Sequence, residues 1–296
     1  MNAISRRGLA IVLGVCAALP AAPGAASWLW TQSDWTGGAY QSAAGVNPEI
    51  QAGELVLVND PDRLILAFDA SDWNGVWAME AYQGRLYLGV CDFPNHDYYA
   101  DIMIYDYGAD SAYVDIPVVE EGINVLKVRE GTLFSPGTDA LGDVFIGNIY
   151  YNQGDSWTMK SSVPLASHVF DLEVWQDKLW VSTGCHNPPD YPGILYSSDD
   201  MGDTWSEEIV IHPCPPGIYF RRLYGLGVWN GSLFVNSDFE PPEGKVVYEL
   251  TGTEIIAHTI PAPGDDCFCA FVEWNGKLAC LTRTIVDFYD GRTWID

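Results

Sequence analysis

Three carboxylates in this chain stand where they could act together on a glycosidic bond. Asp171 and Glu173 lie two residues apart in an apolar stretch, so a β-strand would project both from one side. Glu80 occupies the position of Glu173 in an earlier, similar stretch. Glycoside hydrolysis needs two carboxyl groups, one as the acid and the other as the base or nucleophile. The candidate catalytic residues are therefore Asp171, Glu173 and Glu80.

A second set of side chains has the chemistry to bind an anionic or hydroxylated ligand. His168, Arg221 and Arg222 offer donors, and an arginine can hold a carboxylate through two parallel hydrogen bonds. Aromatic side chains often line ligand sites, and the candidates here are Trp77, Tyr219 and Tyr224. The alternative interpretation is structural, with solvated channel charges and a local hydrogen bond between His168 and Asp171.

The elements that must position these residues form a repeat. An apolar strand, a two-residue turn and a second strand opening with leucine occur five times. The turn residues recur every 45 to 54 positions, at Gly84, Gly131, Asp177, Gly231 and Gly276. Asn-Gly in the last two turns indicates hairpins, because both central positions of a type I′ turn need positive φ. With the third and fourth strands that follow, the pattern predicts an all-β fold, a β-propeller of four-stranded antiparallel blades.

Alignment on these turns places the catalytic candidates on inner strands, which surround the channel of a propeller. Asp171, Glu173 and Glu80 are then expected to share the channel with Lys127. His168 and Arg222 stand where the inner strands of two neighbouring repeats begin. Both are therefore expected at one mouth of the channel.

The middle repeat carries the turn SSDDMGDTW between its third and fourth strands. An Asp carboxylate can accept backbone N–H groups in a tight turn, Gly supplies unusual φ, and Trp covers the hairpin. The five residues in the pattern are Ser198, Asp200, Gly202, Thr204 and Trp205. This pattern resembles the Asp-box, or BNR, repeat of sialidases and other glycan-processing and receptor propellers. The resemblance implies a structural role at the blade periphery, and it implies no single activity.

The chain is expected to contain three regions. Residues 1–26 have the basic, apolar and small-residue order of a signal peptide, which predicts a secreted or periplasmic protein. Residues 27–56 form an extension, and residues 57–296 form the propeller. Five blades are expected, with a strand at 63–68 closing the ring, and the length leaves room for a sixth.

Composition limits the partners. A formal net charge of −26 disfavours nucleic acid and anionic membranes, and no segment outside the leader is apolar enough to insert into a bilayer. The many Asp and Glu residues favour a turn-rich extracellular surface, and calcium binding is the alternative. No metal ligands are identified. No cofactor is expected. The cysteines of an exported chain favour disulfides, and the preferred pair is Cys185 with Cys214. The oligomeric state is not specified.

Three classes of function remain. The leading hypothesis is a binding module for a glycan or an extracellular protein at the channel mouth, and a non-catalytic surface scaffold is an alternative. The enzyme alternative is a sialidase-like glycoside hydrolase. Sialidases have an Arg-Ile-Pro motif and an arginine triad, but this sequence lacks the motif. Arg85, Arg129 and Arg292 are expected in hairpin turns. The arginines left for a triad are Arg63, Arg221, Arg222 and Arg283.

Overall fold

A computed structural model describes residues 74–92, 100–106, 109, 111–140, 145–154, 156–184, 192–211, 222–237, 245–260, 270–281 and 286–295. The predicted signal peptide, the extension, the strand at 63–68 and the Cys185–Cys214 pair lie outside these residues. No helix long and apolar enough to cross a membrane occurs in the part of the chain that the structure describes.

The described residues form a β-propeller, and they contribute five four-stranded antiparallel blades. Blade 1 contains β1 (Asn74–Tyr82), β2 (Arg85–Asp92), β3 (Asp101–Asp106) and β4 (Ser111–Pro117). Blade 2 contains β6 (Lys127–Arg129), β7 (Thr132–Pro136), β9 (Ile146–Asn152) and β10 (Trp157–Pro164). The short strands β5 (Glu120–Gly122) and β8 (Thr138–Ala140) pair with each other beside this blade.

The last three blades follow in the same order. Blade 3 contains β11 (His168–Trp175), β12 (Lys178–Gly184), β13 (Gly193–Ser198) and β14 (Ser206–Ile211). Blade 4 contains β15 (Leu223–Trp229), β16 (Ser232–Ser237), β17 (Lys245–Leu250) and β18 (Ile255–Ile260). Blade 5 contains β19 (Ala270–Trp274), β20 (Lys277–Leu281), β21 (Val286–Tyr289) and β22 (Trp294–Ile295).

The turns between the first two strands of the blades confirm the hairpin prediction. Both central residues have positive φ in each of them, including Asn230 (47°) with Gly231 (82°) and Asn275 (50°) with Gly276 (74°). The turn of blade 3 achieves this without glycine, since Gln176 has φ 52° and Asp177 has φ 59°. An L-residue in this region costs about 1 to 2 kcal/mol relative to its preferred backbone.

We therefore expect Asp177→Gly to raise the free energy of unfolding by about 1 kcal/mol, because glycine adopts positive φ without strain. Urea denaturation measures this change. Gly231→Ala is the matched control, since an added Cβ there meets nothing within 4 Å and the cost is backbone strain alone. Gly231→Ala should lower the free energy of unfolding by a similar amount. If neither variant changes the free energy of unfolding, the explanation is contradicted.

A continuous series of backbone pairs joins blades 1, 3 and 4 near the start of their inner strands. We call it the entry belt, and it runs through Gly75, Cys91, Gly122, Thr138, His168, Gly184 and Arg222. In an ordinary propeller each blade is a separate sheet, but here β5 and β8 bridge blade 1 to blade 3. The belt fixes His168 and Arg222 at one end of the channel.

Apolar side chains pack between successive blades, and polar groups at the turns reinforce this packing. The cluster between blades 3 and 4 includes Trp175, Leu195 and Leu233. Trp175 also donates its indole N–H to the carbonyl of Gly231 at 2.9 Å. Each inner strand therefore both contributes to the core and holds the turn of the next blade.

The SSDDMGDTW turn is a dense hydrogen-bonded unit. The Asp200 carboxylate accepts backbone N–H groups from residues 203 and 204 at 3.0 and 2.8 Å and the Thr204 hydroxyl at 2.6 Å. The Ser198 hydroxyl donates to Asp200 at 2.7 Å and accepts the Gly202 N–H at 2.7 Å. These bonds lower the pKa of the Asp200 carboxyl. Trp205 reaches the preceding blade by donating to the Ser162 hydroxyl at 3.2 Å.

Candidate functional site

The middle of the channel is occupied by an ion pair between Lys127 and Asp171. Lys127 Nζ lies 2.7 Å from Asp171 and also donates to the carbonyls of Leu172 and Leu226, at 3.2 and 3.0 Å. Asp171 accepts the Leu226 backbone N–H at 2.7 Å as well. Because these residues belong to blades 2, 3 and 4, one pair of charges connects three blades across the channel.

A second ion pair lies beside the first. Arg129 forms a two-pronged contact with Glu173, in which Nη2 and Oε2 are 2.8 Å apart and Nε also donates to Oε1. The assignment of Arg129 to a hairpin turn was wrong. It is the last residue of β6, and the strand aims it at the neighbouring blade.

Glu80 differs from the other two carboxylates. Burial raises its pKa to about 7, against the opposing effects of the Ala81 N–H and the charges of Arg129 and Lys127. Its described hydrogen bond is that from the Ala81 N–H, at 3.1 Å. The structure thus brings Asp171, Glu173 and Glu80 to one channel with Lys127. It gives Asp171 and Glu173 cationic partners, which suits a structural role better than proton transfer.

The mouth at the entry belt contains a chain of three polar side chains. His168 Nδ1 lies 3.0 Å from an Asp139 carboxylate oxygen, and His168 Nε2 lies 3.2 Å from Arg222 Nη2. Arginine only donates, so His168 Nε2 is the acceptor in its contact with Arg222. The approach of Nδ1 to Asp139 is at ion-pair distance but does not have hydrogen-bond geometry. The predicted local bond between His168 and Asp171 is wrong, because the belt aims His168 at Asp139 instead.

The guanidinium of Arg222 is held in place by an aromatic ring and by the backbone of the neighbouring strand. It lies 5.4 Å from the centroid of the Phe170 ring, a cation–π distance, and Phe170 stacks on His168 with centroids 5.0 Å apart. A Cβ at Gly184 would come within 2.5 Å of Arg222 Cγ, so only glycine leaves room for the arginine stem. Arg222 is thus positioned before any ligand arrives.

The aromatic candidates lie at bulges in the inner strands. The register of β1 shifts at Trp77, that of β11 at Phe170 and that of β15 at Tyr224. A bulge re-aims a side chain, and bulges are common beside functional sites. Tyr224 is only 2 % exposed and packs on Phe170, so it supports the mouth and offers no free face to a sugar.

The remaining predicted residues are placed as follows. Arg221 and Tyr219 lie outside the described residues. Among the described ones, no group of three His, Cys, Asp or Glu side chains is arranged to hold a metal ion. Cys280 is buried and carries a free thiol.

Two members of the mouth were missed in the sequence. Phe170 stands at the same distance from its turn as Trp77 and Tyr224 do from theirs, so the repeat alignment could have found it. Asp139 gave no signal, because β8 is an addition to the four-stranded repeat. It adopts φ 58°, which turns the backbone beside His168.

Comparisons with known proteins give no family for this chain. No family model matches it, and no curated protein does. Solved structures do match. A Trypanosoma rangeli sialidase in complex with sialic acid has a TM-score of 0.48 at 14 % identity, over 75 % of this chain and 43 % of the sialidase. A GH93 α-L-arabinofuranosidase of Fusarium graminearum, complexed with arabinobiose, has a TM-score of 0.47 at 14 % identity, over 74 % and 79 % of the two chains.

A third match is a gluconolactonase, XC5397 from Xanthomonas campestris, with a TM-score of 0.44 at 17 % identity, covering 69 % of this chain and 67 % of the lactonase. This chain spans less than half the length of the sialidase. All three likenesses are distant, and the propeller assignment rests on the five described blades themselves.

Proposed function

We propose that this chain is an exported binding module that recognises a carboxylate-bearing glycan at the entry-belt mouth, with Arg222 as the recognition residue. The observation that carries the proposal is the Asp139–His168–Arg222 chain. It fixes a guanidinium over an aromatic ring at the end of a propeller channel. A planar cation held in this way is suited to a carboxylate, which it can grip with two hydrogen bonds.

The overall charge narrows the ligand class. A protein with a formal net charge of −26 repels polyanions at long range. A glycan that is neutral apart from one acidic sugar avoids most of this repulsion and still presents a carboxylate to Arg222. Trp77 lies at a bulge of β1 that corresponds to the bulge at Phe170 and is half-buried, and aromatic surface of this kind suits the apolar face of a sugar ring.

A glycan array tests the proposal. The secreted chain should bind glycans that carry one carboxylate more strongly than their neutral counterparts, and Arg222→Ala should lose that preference. Arg292→Ala is the matched control, since Arg292 is an exposed arginine in a turn of blade 5. Equal binding of acidic and neutral glycans, or a preference for acidic glycans that persists in Arg222→Ala, would contradict the proposal.

A glycoside hydrolase is the second candidate function, and Glu80 favours it. A carboxyl group with a pKa of about 7 is half protonated at neutral pH, as a general acid should be. We expect any turnover of aryl glycosides, sialosides included, to fall as the pH rises through about 7, because the acid form is then lost. Glu80→Gln should abolish that turnover without abolishing glycan binding. Turnover that persists in this variant would exclude Glu80 as the acid.

A further inference from the structure

Glu120 is a buried carboxyl group that neither proposed activity uses. It is 0 % exposed and lies on β5, beside the entry belt. Its Oε1 accepts from the Asn148 amide and, at 3.0 Å, from the Tyr150 hydroxyl. Its Oε2 has no hydrogen-bond partner among the described residues. The carboxyl lies flat against Gly137, where a Cβ would come within 2.7 Å of both its oxygens.

The surroundings of Glu120 favour a neutral group. Burial is the main cause that raises its pKa to about 7; the hydrogen bonds from Asn148 and Tyr150 oppose the rise, and the negative charge of Asp139 on β8 adds to it. From β9 it faces Asn148 and Tyr150, which carry no charge; beyond Asp139 lies His168 on β11. Its neighbour on β5, Glu121, is also an acid and is 8 % exposed. No cation contacts Glu120 within the described ranges, so nothing there compensates a buried negative charge.

A proton on Glu120 would have an acceptor close by. Asn148 Oδ1 is buried and has no partner among the described residues, and the same amide already contacts the Glu120 carboxyl. A carboxylic acid can donate to such an oxygen, whereas a carboxylate cannot. The neutral form therefore supplies a donor where two buried oxygens have no partner among the described residues, and the ionised form supplies none.

We propose that Glu120 is a proton-dependent control element for the mouth: it is built into the belt as the neutral acid, and its ionisation weakens both the β5–β8 region and the binding of an anionic ligand at Arg222. The second effect rests on the proposed function. The path is short, because β5 pairs with β8, β8 pairs with β11, and Asp139 on β8 contacts His168, which contacts Arg222.

The direction of the pH effect follows from linkage. The folded state binds the Glu120 proton more tightly than the unfolded state, so its stabilising effect is complete below about pH 4.5. Stability is lost as the pH rises from there through about 7. Over that range the folding equilibrium constant should fall on the order of a hundredfold from this group alone. An added charge about four strand spacings from Arg222 should weaken an anionic ligand roughly threefold.

The test compares the full chain with Glu120→Gln and a control, Glu254→Gln, on an exposed turn of blade 4. Urea unfolding is measured from pH 4.5 to pH 8.5. Wild type and Glu254→Gln should lose stability together as the pH rises, whereas Glu120→Gln should lose less and should be the most stable of the three at pH 8. Parallel profiles for all three proteins would overturn the proposal.

Two further measurements keep the outcomes distinct. If Glu120→Gln fails to fold, infrared spectroscopy of Glu80→Gln, which lacks the other carboxyl group with a pKa of about 7, should still show a protonated, buried carboxyl band at pH 6 that disappears by pH 8.5; its absence at pH 6 overturns the proposal. The affinity for the best acidic glycan from the array should fall about threefold more between pH 6 and pH 8 in wild type than in Glu120→Gln. If no glycan binds at all, the proposed function fails, and the unfolding profiles still decide the role of Glu120.

Discussion

Asp171→Ala should be the most destabilising substitution in the channel, lowering the free energy of unfolding by about 3 kcal/mol. Asp171 is 5 % exposed, so its removal takes away the carboxylate that lies 2.7 Å from Lys127 and leaves that charge with the more distant Glu173, at 3.8 Å. It also leaves the Leu226 N–H without the acceptor that it contacts at 2.7 Å. Both losses fall on the contacts that join blades 2, 3 and 4. Urea denaturation at neutral pH measures the change.

Asp203→Ala provides the comparison for this prediction. Asp203 lies 2.7 Å from Lys160, the same distance as in the buried pair, but its side chain is 69 % exposed. An exposed pair contributes at most about 1 kcal/mol. A double-mutant cycle with Lys127→Ala and Asp171→Ala should show a coupling of more than about 1.5 kcal/mol. Equal effects of Asp171→Ala and Asp203→Ala would mean that the channel pair holds no blades together.

Arg222→Ala should weaken the binding of a carboxylate-bearing glycan on the order of a hundredfold. The substitution removes the one guanidinium that the Asp139–His168 pair and the Phe170 ring hold at the mouth. Arg222→Lys should recover part of the loss, because it keeps the charge but not the planar fork. Asp139→Asn should weaken glycan binding roughly tenfold, since His168 then loses the carboxylate that lies 3.0 Å from its Nδ1. Isothermal calorimetry measures all three affinities.

Folding controls are needed for this set of variants, because the stem of Arg222 packs against Gly184. The thermal unfolding midpoint of each variant should stay within a few degrees of wild type. Arg292→Ala should bind as wild type does. If Arg222→Lys and Arg222→Ala are equally inactive while both remain folded, charge alone is not what the ligand requires.

The repeat made much of the fold predictable. Paired turns such as Asn230-Gly231 mark each hairpin because few residues tolerate positive φ, so their spacing reveals the blades. Alternation along the strands then brings Asp171, Glu173 and Lys127 to one channel, where the structure has them. The entry residues His168 and Arg222 also meet as expected.

The sequence failed where the chain departs from its repeat. Strands β5 and β8 are additions to the blades, so nothing in the periodicity indicated that Asp139 or Glu120 would lie beside His168. Arg129 was misplaced for a related reason, because a residue just before a turn can still point along its strand into the channel. Contacts between residues of different blades depend on tertiary packing, so no local sequence pattern predicts them.

The most direct test of the account is a calorimetric titration with one acidic oligosaccharide and with its carboxamide, in which the carboxylate is replaced by a neutral group of the same shape. Wild type should prefer the acid by at least tenfold, and Arg222→Ala should bind the two ligands equally. Equal affinities in wild type, or a preference for the acid that persists in Arg222→Ala, would contradict a carboxylate site at the entry-belt mouth.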